Sequence, residues 1–394
     1  MTIKLFVHKK DCCGCGACAN ACQLKIIEMK ADEEGFLYPT VTDSTQCIHC
    51  GLCEKVCPIK NTKEVPDFKE DAVAGYTRDQ KEIKASASGG LATAMAKGFI
   101  NAHSGVVYGV AYAQDCSTIE YVRVENAVQL EELRTSKYAQ AQKNNVYQKV
   151  KDDLHAGRPV LFFGLPCDAY ALQLYLGKPH ENLYVCALMC HGPTSPAVHT
   201  AYTAALVNRY KSKIMEFSVR YKKDGWKPYY IRAKFNNGAE HIERFDSSLY
   251  GIAFLYLKRP SCNVCQIKRS KIHSDITIGD YHLSWNGRGQ FRPYHPDGVS
   301  SAIIHTRRGV LLTELAKNFC LESIPVKNVL YSEAYVRPIA ARANRREFGR
   351  VFAKEGLEAA CGLASIRRIE SWLTLKGKLY RQGAKVKRIL LRNR

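Results

Sequence analysis

Short apolar runs alternate with amphipathic stretches through the middle of the chain. The runs AVAGYT, GVVYGVAY (105–112) and IEYVRV (119–124) have the length and composition of strands. VYQKVKDDLHAG repeats apolar residues at helical spacing, and RPVLFFGLPCDAYALQLYLG predicts a buried strand, a turn at Pro166 and another helix. A further strand follows in NLYVCAL. Strands that alternate with helices indicate an α/β layered domain.

Two regions depart from this alternation. Residues 213–246 contain Asp-Gly and Asn-Gly turns between apolar runs, which predicts an antiparallel meander. Near the N-terminus, LKIIEMKADEEGFLYPTV predicts two short strands around an Asp-Glu-Glu-Gly turn. The pattern predicts a mixed α+β and α/β fold with a small N-terminal domain (1–62), a polar linker (63–71), a larger mixed-sheet domain (72–345) and a helical tail (346–394).

The N-terminal domain carries two copies of one cysteine spacing. C-x2-C-x2-C-x3-C occurs first in CCGCGACANAC and again in CIHCGLCEKVC, where Pro58 follows. In two-cluster ferredoxins, three cysteines of such a loop bind one 4Fe–4S cluster and the fourth binds the other cluster. The first cluster is therefore predicted on Cys12, Cys15, Cys18 and Cys57, and the second on Cys47, Cys50, Cys53 and Cys22. We interpret residues 1–62 as a two-cluster ferredoxin domain.

Zinc and disulfides are the alternatives for these thiols. Zinc sites usually pair two CxxC units across a longer spacer and lack the third and fourth regularly spaced cysteines. Disulfides need an oxidising compartment, whereas MTIKLFVHKKDCC has no apolar core of a signal peptide. Iron is the favoured metal, and the expected location is the cytoplasm.

The net charge of +21 is concentrated beyond the first domain. Residues 1–60 contain seven lysines and seven acidic residues, whereas residues 366–394 contain ten basic residues and only Glu370. Apolar residues recur in this tail at helical spacing, which is typical of a basic helix on the inner membrane surface or of a helix packed on the core. Nucleic acid is the least favoured partner, because the tail offers only Trp372 and Tyr380 for stacking on bases.

A second group of cysteines lies in the larger domain: Cys167, Cys190, Cys262 and Cys265. A CxxC pair with two distant cysteines can supply four thiolates to one metal centre, although buried cysteines are also common in cores. Cys167 and Cys190 each follow an apolar strand, where α/β proteins place ligands. In ASASGGLATA, the residues before the apolar run predict a helix start, which is either a tight packing contact or an anion site.

These segments together make a family resemblance visible. The chain contains SGGLATA, RTSKYAQAQ, GLPCDAYALQLYLG, ALMCHGPTSP, RPSCNVCQIKRSKIHSDITIGDYH and DGVSSAIIHT in this order. The set resembles the coenzyme F(420) hydrogenase/dehydrogenase beta-subunit family over roughly residues 1–315, the ferredoxin domain included. It is most similar to bacterial members associated with polysaccharide biosynthesis.

The resemblance implies an FAD-containing domain with an additional 4Fe–4S cluster beside the flavin. It makes Cys167, Cys190, Cys262 and Cys265 the expected ligands of that third cluster. The expected flavin-binding residues lie in two segments, Ser88, Gly89 and Gly90 in one and Ser136, Lys137 and Tyr138 in the other. His191 and Asp168, which follow two of the expected ligands, are the candidate proton donors, with a hydrogen-bonded turn residue as the alternative for each.

Three functions follow from these patterns. The first is an iron–sulfur flavoprotein oxidoreductase that takes electrons from a ferredoxin-type donor and reduces a small molecule by hydride transfer. The second is an electron-transfer subunit that serves a partner enzyme. The third, an iron–sulfur factor acting on RNA, ranks last.

Overall fold

The computed structural model describes residues 4–287, 290–363 and 366. The strands are β1 (Ile27–Ala31), β2 (Leu37–Val41), β3 (Asp71–Thr77), β4 (Val106–Tyr112), β5 (Ile119–Val124), β6 (Val160–Gly164), β7 (Leu183–Leu188), β8 (Ile214–Tyr221), β9 (Tyr230–Phe235), β10 (Glu240–Arg244), β11 (Ile276–Asp280), β12 (Ser300–Ile304) and β13 (Phe319–Ser323). The α-helices are α1 (Ala17–Ala21), α2 (Leu52–Lys55), α3 (Gln80–Ala85), α4 (Leu91–His103), α5 (Leu130–Leu133), α6 (Val146–His155), α7 (Pro166–Leu176), α8 (Pro196–Tyr210), α9 (Leu249–Tyr256), α10 (His282–Asn286), α11 (Arg307–Leu315), α12 (Val326–Leu330), α13 (Glu333–Val336) and α14 (Arg345–Cys361). None of the helices in these residues is long and apolar enough to cross a membrane.

The larger domain is built on an eight-stranded mixed sheet. Its strand order is β13-β3-β12-β11-β7-β6-β4-β5, and β4, β6, β7 and β11 run parallel in its centre. These central strands are buried because helices cover the sheet, which explains their nearly continuous apolar sequences. The strands β3, β5, β12 and β13 join by antiparallel pairing. The mixed fold class is confirmed.

A separate three-stranded antiparallel sheet, β10-β9-β8, lies where the Asp-Gly and Asn-Gly turns predict a meander. Its apolar side joins a core with α8, α9 and α14, to which Val219, Ile231 and Phe348 contribute. The predicted tail boundary at 346 therefore falls inside a helix that belongs to the core. That helix breaks at Gly356, whose φ of +87° is a left-handed conformation that favours glycine.

The ferredoxin domain is fixed to the larger domain by buried polar contacts. Arg345 forms two 2.6 Å hydrogen bonds with the carboxylate of Glu34 in the β1–β2 turn. Tyr147 donates to the carbonyl of Cys15 at 2.9 Å. The segment predicted as a linker is also held in place, because the Val65 amide donates to the carbonyl of Ser270 at 2.7 Å. These contacts hold the first cysteine motif and the β1–β2 turn against the larger domain.

Candidate functional site

The first group of thiols surrounds a small cavity at the inner side of the ferredoxin domain. Cys12, Cys15, Cys18 and Cys57 line it, together with Cys13 and Cys53. Burial raises the pKa of Cys18 to about 12, and charges on Cys12 and Cys57 add to the increase. The fourth cysteine of the second motif thus lies with the first three of the first motif, as the crossed ligand assignment requires.

The other predicted group faces solvent. Cys50 is exposed, Ile48 beside it is 67% exposed, and the His49 amide donates to the Cys47 sulfur at 3.3 Å. Cys22 directly follows α1. The assignment of Cys22, Cys47, Cys50 and Cys53 to one cluster stays a prediction.

The third group of thiols converges from three places in the larger domain. Cys167 begins α7, Cys190 follows β7, and Cys262 and Cys265 lie in the turn after α9. Burial raises the pKa of Cys262, and charges on Cys190, Cys167 and Cys265 raise it further. All four side chains are therefore close enough to influence one another electrostatically.

The convergence of these four thiols fits a 4Fe–4S cluster. Four neighbouring, partly buried thiols gain little from one another, whereas cluster iron binds them as thiolates and offsets the cost of burying them. Each thiolate of such a cluster binds a different iron, so the sulfurs lie farther apart than around one ion. Accordingly, no three His, Cys, Asp or Glu side chains within the described residues converge on a single-ion site.

Cys13 joins the first and third groups. Its thiol is within hydrogen-bonding reach of both Cys15 and Cys167. All seventeen cysteines lie within the described residues, and each is free of a disulfide. The first and third groups therefore adjoin each other across the domain boundary.

The loop before α4, Ser86–Gly90, is held from one side by its carbonyl groups. Arg220 and Trp226 donate to the carbonyl of Ala87 at 2.7 and 3.0 Å, and Lys222 donates to that of Ser88 at 2.7 Å. In a trans peptide the N–H points away from the carbonyl, so the amides of Ser88 and Gly89 point away from these donors. Neither amide has an acceptor among the described residues.

The glycines of this loop have structural reasons of their own. A Cβ at Gly89 would lie 2.3 Å from the carbonyl oxygen of Gly75 and 2.5 Å from the Ser300 amide nitrogen. Gly90 has a φ of +88° at the start of α4. Tight packing therefore explains both glycines, and the two unpaired amides at the start of a 13-residue helix additionally fit an anion.

The two expected flavin segments meet through Arg220. Its guanidinium donates to the Tyr138 hydroxyl at 2.9 Å, as well as to the Ala87 carbonyl, and forms a 3.0 Å ion pair with Asp280. Lys137 lies apart from this contact, because its Nζ donates to the carbonyls of Glu132 and Arg134, and burial lowers its pKa to about 7. Ser136 is half-buried between them.

His191 lies between the third thiol group and this loop. The residue is exposed, and its imidazole is within electrostatic range of four titratable groups: Lys258, Lys268, Asp280 and His282. Desolvation, followed by the charges of these lysines and of His282, lowers its pKa to about 4. At neutral pH this imidazole can accept a proton, but it carries no extra proton to donate.

Asp168 has the contacts of a structural residue. Its carboxylate pairs with Lys143 at 3.0 Å and accepts a hydrogen bond from the Tyr121 hydroxyl at 3.1 Å. Asp168 as a whole is 1% exposed. Solvent and substrate do not reach it in this arrangement. These contacts favour the hydrogen-bonded alternative over the predicted role as proton donor.

Comparison with known families fits this arrangement of sites. Residues 11–61 match the model of the 4Fe–4S dicluster domain, and residues 157–328 match that of the C-terminal part of the coenzyme F420 hydrogenase/dehydrogenase beta subunit. Residues 157–328 carry the C-terminal domain of this beta-subunit family. The family prediction is confirmed, and this beta-subunit-type chain is an iron–sulfur protein with a 4Fe–4S dicluster domain.

Two relatives illustrate how distant the similarity is. The F subunit of the F(420)H(2) dehydrogenase of Methanosarcina mazei is 20% identical over 314 residues, which cover 76% of this chain and 80% of the relative. A chain of the F(420)-reducing [NiFe] hydrogenase complex from Methanosarcina barkeri is 16% identical, with a TM-score of 0.45 and coverage of 76% of this chain and 92% of that one.

The Arg220–Asp280 pair predicts how the stability of this site depends on pH. Burial raises the pKa of Asp280, but nearby charges and hydrogen bonds, of which the Arg220 charge is the largest, together lower it by more, so that the pKa lies below its usual value. A carboxylate with a lowered folded-state pKa stabilises the fold above its unfolded pKa, about 4, and loses this effect as pH falls further. We expect the difference in unfolding free energy between wild type and Asp280→Asn to stay constant from about pH 8 to 5 and to narrow below about pH 4.

Urea unfolding at each pH, followed by tryptophan fluorescence, measures this difference. A difference that already narrows between about pH 7 and 5 would show that another group controls it.

Sequence reasoning missed the cations that organise the site. Arg220 and Lys222 are buried at alternate positions at the end of β8, and Arg259 is buried just before the Cys262 turn. A charged residue in a strand or turn is usually exposed. The only signal in the sequence that such a residue is buried is that its neighbours are residues of buried type. Cys13 likewise has no distinctive spacing.

Proposed function

We propose that this chain is an FAD-dependent iron–sulfur oxidoreductase that reduces a small molecule with electrons from a one-electron donor protein such as ferredoxin. The supporting observation is the row of sites that joins the two domains. It runs from the exposed second cysteine motif through the first thiol group and Cys13 to the third group, and His191 lies between that group and the Ser86–Gly90 loop.

The stoichiometry follows from the chemistry of the carriers. Two reduced donor molecules give up one electron each, and two protons come from solvent, so that one C=C or C=O bond of the substrate is reduced to a single bond. FAD, when bound, accepts electrons singly and delivers them as a hydride. The donors are oxidised, the substrate is reduced, and no further reactant is needed.

The residues of the loop have distinct roles in this proposal. The free amides of Ser88 and Gly89, together with the start of α4, would hold a flavin phosphate. Arg220, Lys222 and Trp226 fix the loop carbonyls so that the amides stay oriented. His191 would relay a proton from solvent toward the substrate, because a neutral imidazole accepts on one ring nitrogen and donates from the other.

The class of substrate and the cellular location are further parts of the proposal. Resemblance to members associated with polysaccharide biosynthesis favours a sugar or nucleotide-sugar intermediate. The cytoplasmic location, with the basic tail at the inner membrane surface, stays a prediction, and all of that tail beyond residue 366 lies outside the described residues.

An electron-transfer subunit is the second candidate. The relative from Methanosarcina mazei is named as a subunit of a dehydrogenase, which supports a partner enzyme for this chain as well. In that case the third cluster would hand electrons to the partner, and the loop would need no substrate opening beside it.

Cofactor release from anaerobically purified protein separates these candidates. We expect denaturation to release about one FAD per chain, identified by chromatography against FMN and the free deazaflavin coenzyme. A chain that binds no flavin, even after incubation with FAD, would contradict the flavoenzyme and leave the electron-transfer subunit.

A Ser88→Pro variant removes one free amide and should bind less FAD, whereas Ser117→Pro, in a distant turn, should bind as much FAD as wild type.

A further inference from the structure

The two cysteine motifs share one backbone conformation. Gly16 and Gly51, which precede α1 and α2, both have a φ of +72°. Gly14 and His49, two residues earlier, have φ values of +68° and +54°. The two loops would therefore present similar backbone amides to their clusters, so any difference between the clusters has to come from their surroundings.

Those surroundings differ sharply. A Cβ at Gly14 would lie 2.6 Å from both Arg259 Nη1 and Gln140 Nε2, which belong to the larger domain. The equivalent His49 has a side chain and is exposed. At Gly51 a Cβ would meet no atom within 4 Å. The first motif is therefore covered by a cation, whereas the second faces water.

Arg259 is fully buried and holds the first motif directly. Its Nε donates to the Cys12 carbonyl at 2.8 Å, and its Nη2 lies 3.7 Å from the Cys12 sulfur. Nη1 donates to Gln140 at 2.8 Å, and Nη2 also donates to the Leu37 carbonyl at 2.9 Å. The guanidinium lies 4.0 Å from the centre of the Tyr38 ring.

No carboxylate compensates this charge. The four polar contacts above are with neutral oxygen atoms and one thiol, and no ion pair joins Arg259 to Asp or Glu within residues 4–287 and 290–363. A buried, uncompensated cation acts strongly on a neighbouring charge, because little solvent screens it. The partner that the charge lacks would be supplied by a cluster bound through Cys12.

We propose that Arg259 raises the reduction potential of the cluster bound by Cys12 above that of the cluster on the second motif. A nearby positive charge and an N–H···S hydrogen bond both favour the reduced, more negative cluster. Electrons that enter at the exposed second motif then pass inward to the first thiol group, toward Cys13 and Cys167. This inference rests on the two ferredoxin clusters and holds with or without flavin.

The test is a redox titration of anaerobically purified full-length protein, followed by electron paramagnetic resonance. We expect Arg259→Met to lower the reduced-to-oxidised ratio of one ferredoxin cluster about tenfold at a fixed potential, which equals ~59 mV for one electron. The other ferredoxin cluster should keep its potential. Arg259→Lys keeps the charge and should retain most of the wild-type value, and Lys55→Met, an exposed change beside the second motif, should leave the first cluster unchanged.

Wild-type protein provides a second measurement in case Arg259→Met does not fold. Cys50→Ser changes a ligand of the second cluster and therefore marks its signal. Cys262→Ala, which removes the third cluster, marks that cluster's signal in the same way. Of the two remaining signals, we expect the first to appear on graded reduction to be the one that Cys50→Ser leaves unaltered. If the altered signal appears first, or if Arg259→Met and wild type have equal potentials with all clusters present, the proposal is overturned.

Discussion

Cys262→Ala is expected to lose about four iron atoms per chain while both ferredoxin clusters remain. Three 4Fe–4S clusters correspond to about twelve iron atoms and two clusters to about eight. Cys262 is the residue of choice because it lies against the Cys190 loop: a Cβ at Gly192 would be 2.7 Å from the Cys262 Cβ. Loss of one thiolate leaves three ligands for four irons, and the cluster is released.

Iron analysis and low-temperature resonance spectra of anaerobically purified variants measure this loss. Cys186→Ala is the matched control, because Cys186 is a fully buried cysteine on β7 with no thiol among the groups that shift its pKa. It should retain all of its iron. Equal iron in Cys262→Ala and wild type would show that the third group is an ordinary set of core cysteines.

Arg220→Met is expected to lower the free energy of unfolding by about 3–5 kcal/mol, the usual result of removing one partner from a buried ion pair. The Arg220 side chain is 4% exposed and that of Asp280 17%, so the remaining carboxylate has little access to water. The change also removes one of the two donors to the Ala87 carbonyl and the donor to the Tyr138 hydroxyl. The Ser86–Gly90 loop is then held less firmly, through Trp226 and Lys222, and we expect FAD binding to weaken with stability.

Urea unfolding and FAD titration of the same preparations check this prediction. Arg232→Met removes an arginine from an exposed pair with Glu240 and should cost only about 0–1 kcal/mol. Combining Arg220→Met with Asp280→Asn removes both charges and should recover part of the lost stability. If Arg220→Met behaves like Arg232→Met, the buried pair does not organise the loop.

The two domains contact each other at the inner ferredoxin motif. Arg259 of the larger domain covers the first motif, while Cys167 of that domain meets Cys13 of the ferredoxin domain. Glu34 and Arg345 hold the two domains in register. Separating the domains would therefore change the potential of the inner cluster as well as the distance to the third thiol group.

The sequence alone determined the parts of this protein that depend on local order. The cysteines of each motif lie within a few residues of one another, so their spacing alone indicated two 4Fe–4S clusters. This agrees with the dicluster domain at residues 11–61. Apolar periodicity and turn residues likewise predicted the strands β4 to β7 and the meander β8 to β10. Ordered motifs along the chain identified the family.

Tertiary structure decided which residues distant in the chain act on one another. Only folding brings Arg259 to Cys12, Cys13 to Cys167, and Arg220 to the Ser86–Gly90 loop. It also pairs Asp168 with Lys143 and places the first turns of α14 in the core. The reason is physical: the burial of a charge, and hence its effect on a neighbour, depends on the surrounding atoms from the whole chain and not on its own segment.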